Sequence, residues 1–285
     1  MMRFGIDLPN FGPFSDPFVV IEFARLAEQA GWDGFFLWDH IDRPTQHPLV
    51  DPWMTLAAVA VNTQRIKIGA LVTPLPRRRP WKVARQAVAL DQLSRGRLIF
   101  GAGLGTGRSE EWGNFGEQTD AKARGGMLDE GLDILTGLWS GQPFSYTGQY
   151  YRVGGSTFTP PPVQQPRIPI WIAGAWPNKA PFRRAARWDG MCPLLPEGNT
   201  LAHLKDAIEF TQSCRADPAA PFDFVYITGP VSRDPAQFAD QVAQAEAMGV
   251  TWWIEEFRAP SFGTEWTAAW DVDAMRAHVV KGVPR

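Results

Sequence analysis

The sequence predicts an α/β protein of the (β/α)8 barrel (TIM barrel) class, and three observations lead to this prediction. Short apolar runs alternate with amphipathic helical patterns eight times along the 285 residues. Such alternation builds a parallel sheet with helices packed outside it. Three helices begin alike, at Asp16-Pro17, Asp51-Pro52 and Asp234-Pro235, where aspartate is a good N-cap and proline a good first residue. A doubly wound open sheet is the alternative, but it would be expected to carry a dinucleotide fingerprint, which is missing.

The first half of the chain supplies four strand patterns. Residues 65–107 read as strand, loop, helix, strand and loop, which is a unit that joins two parallel neighbours. The first helix stops at Gly31, a residue suited to the position after a helix end. Strands are expected at residues 3–8, 33–38, 67–72 and from 98 onward, with helices at 17–30, 52–62 and 80–94.

The second half continues the alternation after an interruption. A polar loop is expected at residues 108–118, and a β-hairpin outside the main sheet within residues 142–160. Strands are then expected at residues 168–173, 189–195, 222–229 and 251–257, with helices at 127–139, 179–187, 200–214, 235–248 and 272–281. We therefore predict one barrel domain over residues 1–285 with these two segments inserted.

Composition excludes several classes of protein. The formal net charge of −2 argues against generic nucleic-acid binding, which favours a strongly basic domain. Cys192 and Cys214 have no CxxC spacing, so a reduced, cytoplasmic setting is expected. The N-terminus lacks a signal-peptide pattern, and no apolar run approaches the roughly 18 residues of a membrane span. The 13 tryptophans indicate either an aromatic-lined pocket or bulky core filling.

His40 is the main catalytic candidate because it follows a predicted strand, at the edge where barrel active sites form. Asp39 beside it is a candidate to orient or tune it; a structural histidine is the alternative. Glu110 and Glu111 follow the fourth strand, and either is a candidate proton donor opposite His40, although adjacent glutamates in a polar loop are commonly just solvated. The histidine spacing fits no metal site, and no GxSxG elbow is present, which disfavours metal and serine hydrolases.

Three further segments are candidates for ligand contact. The glycine run at residues 101–107 does not fit GxGxxG, and it allows close backbone approach to a flat or bulky group. Of the two explanations for this run, contact with a ligand is favoured over a tight corner of the barrel. The run Arg77–Arg79 could bind an anion or be a solvated charge run. The segment Gly174–Lys179 leads into a helix N-terminus and is a better anion site.

Three stretches of sequence resemble a known family. They are FARLAEQAGWDGFFLWDH, RIKIGALVTPLPRRRPWKVARQAVALDQLSRGRLIFGAGLG and PVQQPRIPIWIAGAWPNKAPFRRAARWDG. Through them, most of the chain resembles the bacterial luciferase-like superfamily of flavin- and deazaflavin-dependent oxidoreductases. The resemblance implies a barrel that holds a flavin or deazaflavin ring at the carboxyl ends of its strands.

The resemblance also implies roles for particular residues. Residues 70–73 match a strand bulge with a non-prolyl cis peptide, expected at Ala70-Leu71, and Asp39-His40 matches a pair whose histidine is the proposed base. The family's catalytic glutamate aligns near Arg108, so Glu110 and Glu111 are its nearest counterparts. The cofactor-binding residues implied are Asp39, Ala70, Leu71, Thr73, Gly103, Gly105, Thr106, Gly107, Gly174, Ala175, Trp176 and Lys179.

The function implied is that of an oxidoreductase for a small organic substrate. The cofactor would be FMN, with oxygen as co-substrate of a monooxygenase, or the deazaflavin coenzyme F-420 as a hydride carrier. The Asp39-His40 pair and the Arg77–Arg79 run favour the deazaflavin, whose tail is anionic. A barrel that binds such a ring without turnover, as a carrier or sensor, is the alternative.

Two further expectations concern surfaces. Family members are commonly dimers through the early helices, so Trp53 and the helix from Pro80 are candidate contacts of a homodimer. Aromatic residues in the loops favour an apolar or ring-shaped substrate; they are Trp112, Phe115, Phe158 and Phe262.

Overall fold

The computed structural model describes residues 2–42, 47–107, 110–196, 201–229 and 234–283. Within them, a nine-stranded parallel sheet curls until its edges meet, and a two-stranded hairpin lies apart from it. The strands are β1 (Arg3–Leu8), β2 (Gly34–Leu37), β3 (Lys67–Ala70), β4 (Thr73–Pro74), β5 (Phe100–Gly103), β6 (Phe144–Thr147), β7 (Arg152–Ser156), β8 (Ile170–Ala175), β9 (Gly190–Leu194), β10 (Asp223–Thr228) and β11 (Trp252–Glu256).

The order of the strands makes the sheet a barrel. It runs β3-β2-β1-β11-β10-β9-β8-β5-β4, so the first and last strands of the chain are neighbours. β3 and β4 are two halves of one barrel strand. The backbone N–H of Ile68 donates to Arg97 O (3.1 Å), and that of Ile99 donates to Ile68 O (2.8 Å), which joins this strand to the next one. The described residues thus confirm the predicted eight-stranded barrel.

The helices of the described residues surround the sheet. Asp16, Asp51 and Asp234 each accept hydrogen bonds from backbone N–H groups of the first turn of their helix, as predicted; each such cap contributes about 1 kcal/mol. The helices are α1 (Pro17–Gln29), α2 (Pro52–Asn62), α3 (Pro80–Leu93), α4 (Glu110–Gly113), α5 (Ala121–Trp139), α6 (Lys179–Ala185), α7 (Leu201–Cys214), α8 (Pro235–Ala247) and α9 (Val272–Lys281).

The two inserted segments differ in how well they were predicted. The hairpin is confirmed: β6 and β7 pair antiparallel, outside the barrel sheet. The segment predicted as a polar loop instead contains the short helix α4, in which Glu111 and Trp112 are buried, each 1% exposed. In the described part of the chain, no helix combines the length and apolar character that a membrane crossing requires.

Two apolar clusters hold the fold together. The larger one lies between the sheet and the helices, and the smaller one fills the barrel interior with Phe36, Trp171, Trp252 and Ile254. Burying an aromatic side chain of this kind contributes about 1.5–3 kcal/mol. The fully buried tryptophans serve the core; they are Trp32, Trp112, Trp139, Trp171 and Trp252.

Candidate active site

His40 lies just beyond the carboxyl end of β2 and is held there by Asn10. The Asn10 side-chain amide donates to His40 O (2.9 Å) and Val50 O (2.8 Å), and its oxygen accepts from His40 N (3.2 Å). Asn10 is fully buried, so these bonds fix the backbone at His40. Asn10 was not among the predicted site residues; its only signal in the sequence is that it is a polar residue two positions after β1, at the same edge of the sheet.

The partner of the His40 ring is Glu111. Its Oε1 lies 2.8 Å from His40 Nδ1 and 3.2 Å from Ile41 N, and its Oε2 accepts from Thr106 Oγ1 at 3.0 Å. Glu110 has an exposed side chain. The structure therefore brings one of the two candidate glutamates to the histidine and leaves the other in solvent.

The ionisation of Glu111 defines what it does for His40. Burial alone would raise the pKa of Glu111, but the hydrogen bonds from His40 and Thr106 and the charge of Arg77 outweigh it and hold the pKa below its usual value. A carboxylate at neutral pH can only accept hydrogen bonds. Glu111 therefore fits a role in orienting the His40 ring, with Nδ1–H directed at the carboxylate and Nε2 left for substrate.

The Asp39 carboxylate pairs with Arg77 and Arg78, and the carboxylate at the His40 ring is that of Glu111, so the prediction that Asp39 orients this histidine is not confirmed. Arg78 Nη2 donates to both carboxylate oxygens of Asp39 (2.7 and 2.8 Å), and Arg77 Nη2 donates to its carbonyl oxygen (3.0 Å). The carboxylate prefers these two cations because bidentate charge-assisted bonds are strong. Arg77 and Arg78 are thereby held inside the protein, and Arg79 is the exposed member of the run.

The bulge between β3 and β4 has a non-prolyl cis peptide at Leu71-Val72, one residue later than the predicted Ala70-Leu71. The glycines facing it meet protein rather than open space. A Cβ at Gly101 would lie 2.2 Å from Ala70 O, and one at Gly103 would lie 2.8 Å from Val72 Cγ2. Tight packing accounts for these two glycines, so ligand contact by the run stays a prediction.

The end of the glycine run is different. Gly105 has φ +77°, and a Cβ there would meet Trp112, whereas a Cβ at Gly107 would meet nothing within 4 Å. Thr73 Oγ1 and Asp7 Oδ1 are buried and have no hydrogen-bond partner among the described residues. Open space together with two unpartnered buried oxygens at one edge of the barrel fits a bound ligand that carries polar atoms.

The segment Gly174–Lys179 is packed internally. The Trp176 ring lies 5.2 Å from that of Phe182, and Lys179 Nζ lies 3.5 Å above the Trp176 ring. The backbone N–H groups of Trp176 and Asn178 donate to carbonyl oxygens of the protein. Phosphate binding by this loop stays a prediction, and these two amides are already engaged.

The aromatic side chains around His40 are not those predicted from the loops. Trp112 is buried beneath Arg124, with the guanidinium carbon 4.3 Å from its ring centroid. The rings near His40 are those of Trp38 (5.6 Å) and Phe11 (6.2 Å), and Trp266 lies 6.3 Å from Trp38. They form an aromatic wall beside the histidine. Among the described residues, no group of three or more His, Cys, Asp or Glu is placed to hold a metal ion.

Comparison with known proteins agrees with this barrel fold. Residues 3–277 match the family model of luciferase-like monooxygenases, and the chain belongs to that family. One curated relative is an F-420-dependent glucose-6-phosphate dehydrogenase of Microbacterium testaceum, 32% identical over 189 residues. The match covers 62% of this chain and 52% of that relative, so this chain spans about half the relative's length.

Solved structures share the fold at lower identity. The coenzyme F-420-dependent tetrahydromethanopterin reductase of Methanopyrus kandleri superposes with a TM-score of 0.73 at 16% identity, covering 98% of this chain and 96% of that one. The oxygenating constituent of 3,6-diketocamphane monooxygenase from Pseudomonas putida, in complex with FMN, gives 0.66 at 20% identity, covering 98% and 83%. These similarities confirm the luciferase-like barrel.

Proposed function

We propose that this protein is an oxidoreductase that binds coenzyme F-420 or FMN at the carboxyl ends of its barrel strands and acts on a small organic substrate. The observation that carries the proposal is the pair of His40 and an ionised, buried Glu111 at that edge. The F-420-dependent relative and the FMN-containing neighbour of the same family support it. Of the two cofactors, we favour the deazaflavin because the curated relative uses it.

The chain's own residues supply the acid–base part of the reaction. Glu111 accepts a hydrogen bond from His40 Nδ1–H, which leaves Nε2 free to take a proton from a substrate hydroxyl as hydride leaves the carbon that bears it. The ring of the cofactor, when bound, supplies the hydride chemistry. Asn10 holds the His40 backbone, and Phe11 and Trp38 give the substrate a largely apolar wall.

Cofactor binding is tested by titrating the protein with F-420 and with FMN while following fluorescence. We expect one of them to bind and Gly107→Leu to weaken that binding at least about tenfold, because the added side chain would occupy the open space at the ring edge. Gly154→Leu is the matched control, since a Cβ there also meets nothing within 4 Å but lies in the hairpin. Binding of neither cofactor would contradict the proposal.

We also propose that the protein is a homodimer through α1 and α2. Three large apolar side chains on these helices are exposed to solvent, as an interface with a second copy would require. They are Phe18 (80% exposed), Met54 (71% exposed) and Val61 (57% exposed). Trp53, a predicted contact, is 6% exposed and packs against Phe100, so that prediction is wrong.

The dimer is tested by light scattering after size exclusion. The wild type should have twice the mass of one chain, and Met54→Lys should shift it towards the monomer because a charge on a buried apolar interface is costly. Val280→Lys, on α9 with a 54% exposed side chain, should stay dimeric. A wild type of monomer mass at micromolar concentration would rule the dimer out.

A further inference from the structure

Asp7 and Glu256 face each other at the mouth of the barrel. They are register partners on the neighbouring strands β1 and β11. Ile254 belongs to the cluster inside the barrel, and side chains alternate along a strand, so Glu256 points to the same interior. Because Asp7 is the register partner of Glu256 on the neighbouring strand, its side chain also points into the barrel interior. Both residues lie at the carboxyl ends of their strands, on the side of the barrel that carries His40.

Asp7 has one satisfied and one unsatisfied oxygen. Its Oδ2 accepts from Trp38 Nε1 at 2.9 Å, whereas its Oδ1 is buried with no partner among the described residues. The residue is 2% exposed. The Trp38 ring that contacts it is also the ring nearest His40, at 5.6 Å. The unpartnered oxygen therefore belongs to the neighbourhood of the active site, although the acid–base chemistry assigned above makes no use of it.

The charges that face Asp7 favour its protonated form. Burial, and then the charge of Glu256, raise the pKa of Asp7 well above its usual value. Burial also raises the pKa of Glu256, but Arg258, with Nε 3.0 Å from its carboxylate, opposes that rise. Burial, the largest effect, and the charge of Asp223 raise the pKa of the Cys192 thiol well above its usual value, so it stays neutral.

We propose that Asp7 is a neutral carboxylic acid that donates a hydrogen bond from its otherwise unpartnered oxygen to an acceptor atom, a carbonyl oxygen or a ring nitrogen, of the ring-shaped ligand at the barrel mouth. Glu256, paired with Arg258, is the neighbouring carboxyl whose negative charge favours the protonated form of Asp7, as in other carboxyl pairs whose environments differ. The ligand in this proposal rests on the proposed function; the protonation state of Asp7 does not.

The protonation state is tested on the ligand-free protein. The infrared difference spectrum of wild type minus Asp7→Asn at neutral pH should show the C=O band of a protonated carboxylic acid, and that of wild type minus Asp206→Asn, an exposed aspartate on α7, should not. Because a raised folded-state pKa means that the native state binds more protons, wild type should lose stability relative to Asp7→Asn as pH rises above about 3.9. An ionised carboxylate band from Asp7 would overturn the proposal.

The role towards the ligand is tested by cofactor affinity over a pH series. Asp7→Leu should bind F-420 or FMN about tenfold more weakly than wild type, because a buried acceptor on the ligand loses its donor. Asp7→Asn keeps the shape and a donor, so its affinity should be close to wild type and should not fall at high pH as that of wild type does. Equal affinities in all three proteins would overturn the role of Asp7 alone, whereas a wild type that binds neither cofactor would contradict the proposed function.

Discussion

Replacing His40 with alanine is expected to lower turnover by about 10²–10⁴-fold, the range typical of removing a general base, while cofactor affinity stays nearly unchanged. The histidine is held by Asn10 through its backbone and by Glu111 through its ring, so the substitution removes the imidazole without disturbing the strands beneath it. Steady-state rates with the accepted substrate, and a separate fluorescence titration of the cofactor, measure the two quantities.

His203→Ala, on the outer helix α7, is the control for the loss of a histidine as such, and its turnover should match that of wild type. If His40→Ala retains full turnover, the histidine has no part in the chemistry. If the cofactor binds but no substrate is turned over even by wild type, the carrier or sensor function becomes the better explanation.

Replacing Glu111 with alanine is expected to cost about 3 kcal/mol of unfolding free energy, because it leaves the His40 ring without its carboxylate partner and removes one of the two carboxylates beside the buried Arg77. Turnover should fall roughly a hundredfold in Glu111→Gln, because the amide keeps the shape but no longer favours a proton on His40 Nδ1. Urea unfolding and steady-state kinetics measure these effects. Glu110→Gln changes the exposed neighbour and should alter neither.

The contribution of Glu111 to stability should also depend on pH. Its folded-state pKa is lowered, so the stabilisation is fully present above the unfolded-state pKa of about 4.3 and is lost as pH falls through the folded-state value. The stability difference between wild type and Glu111→Gln should therefore be constant from pH 7 to 5 and shrink below pH 4. A difference that stays the same down to pH 3 would show that the carboxylate charge is not what stabilises this site.

The residues of the candidate site that follow directly from the order of the predicted strands could be found from the sequence. His40 could be found because it comes directly after a strand, and Glu111 because it follows another strand at the same edge. Their pairing could not be chosen over that of His40 with Asp39, which is adjacent in sequence. The choice depends on Arg77 and Arg78, which engage the Asp39 carboxylate in hydrogen bonds.

The sequence by itself determined the elements and their alternation. Each strand and helix is encoded within a short window by apolar spacing, aspartate caps and glycine stops, and these local signals do not depend on distant residues. The family resemblance came from the same kind of contiguous stretches, and the family model over residues 3–277 confirms it.

Only the tertiary structure decided which side chains meet. Asp7 and Glu256 are brought together by closure of the barrel between its first and last strands, and no local pattern marks either residue. Trp53 and Trp112 looked like surface aromatics and are buried because neighbouring helices and arginines cover them. Burial and partner choice depend on register and packing across the whole barrel, and these set the ionisation on which the proposed chemistry depends.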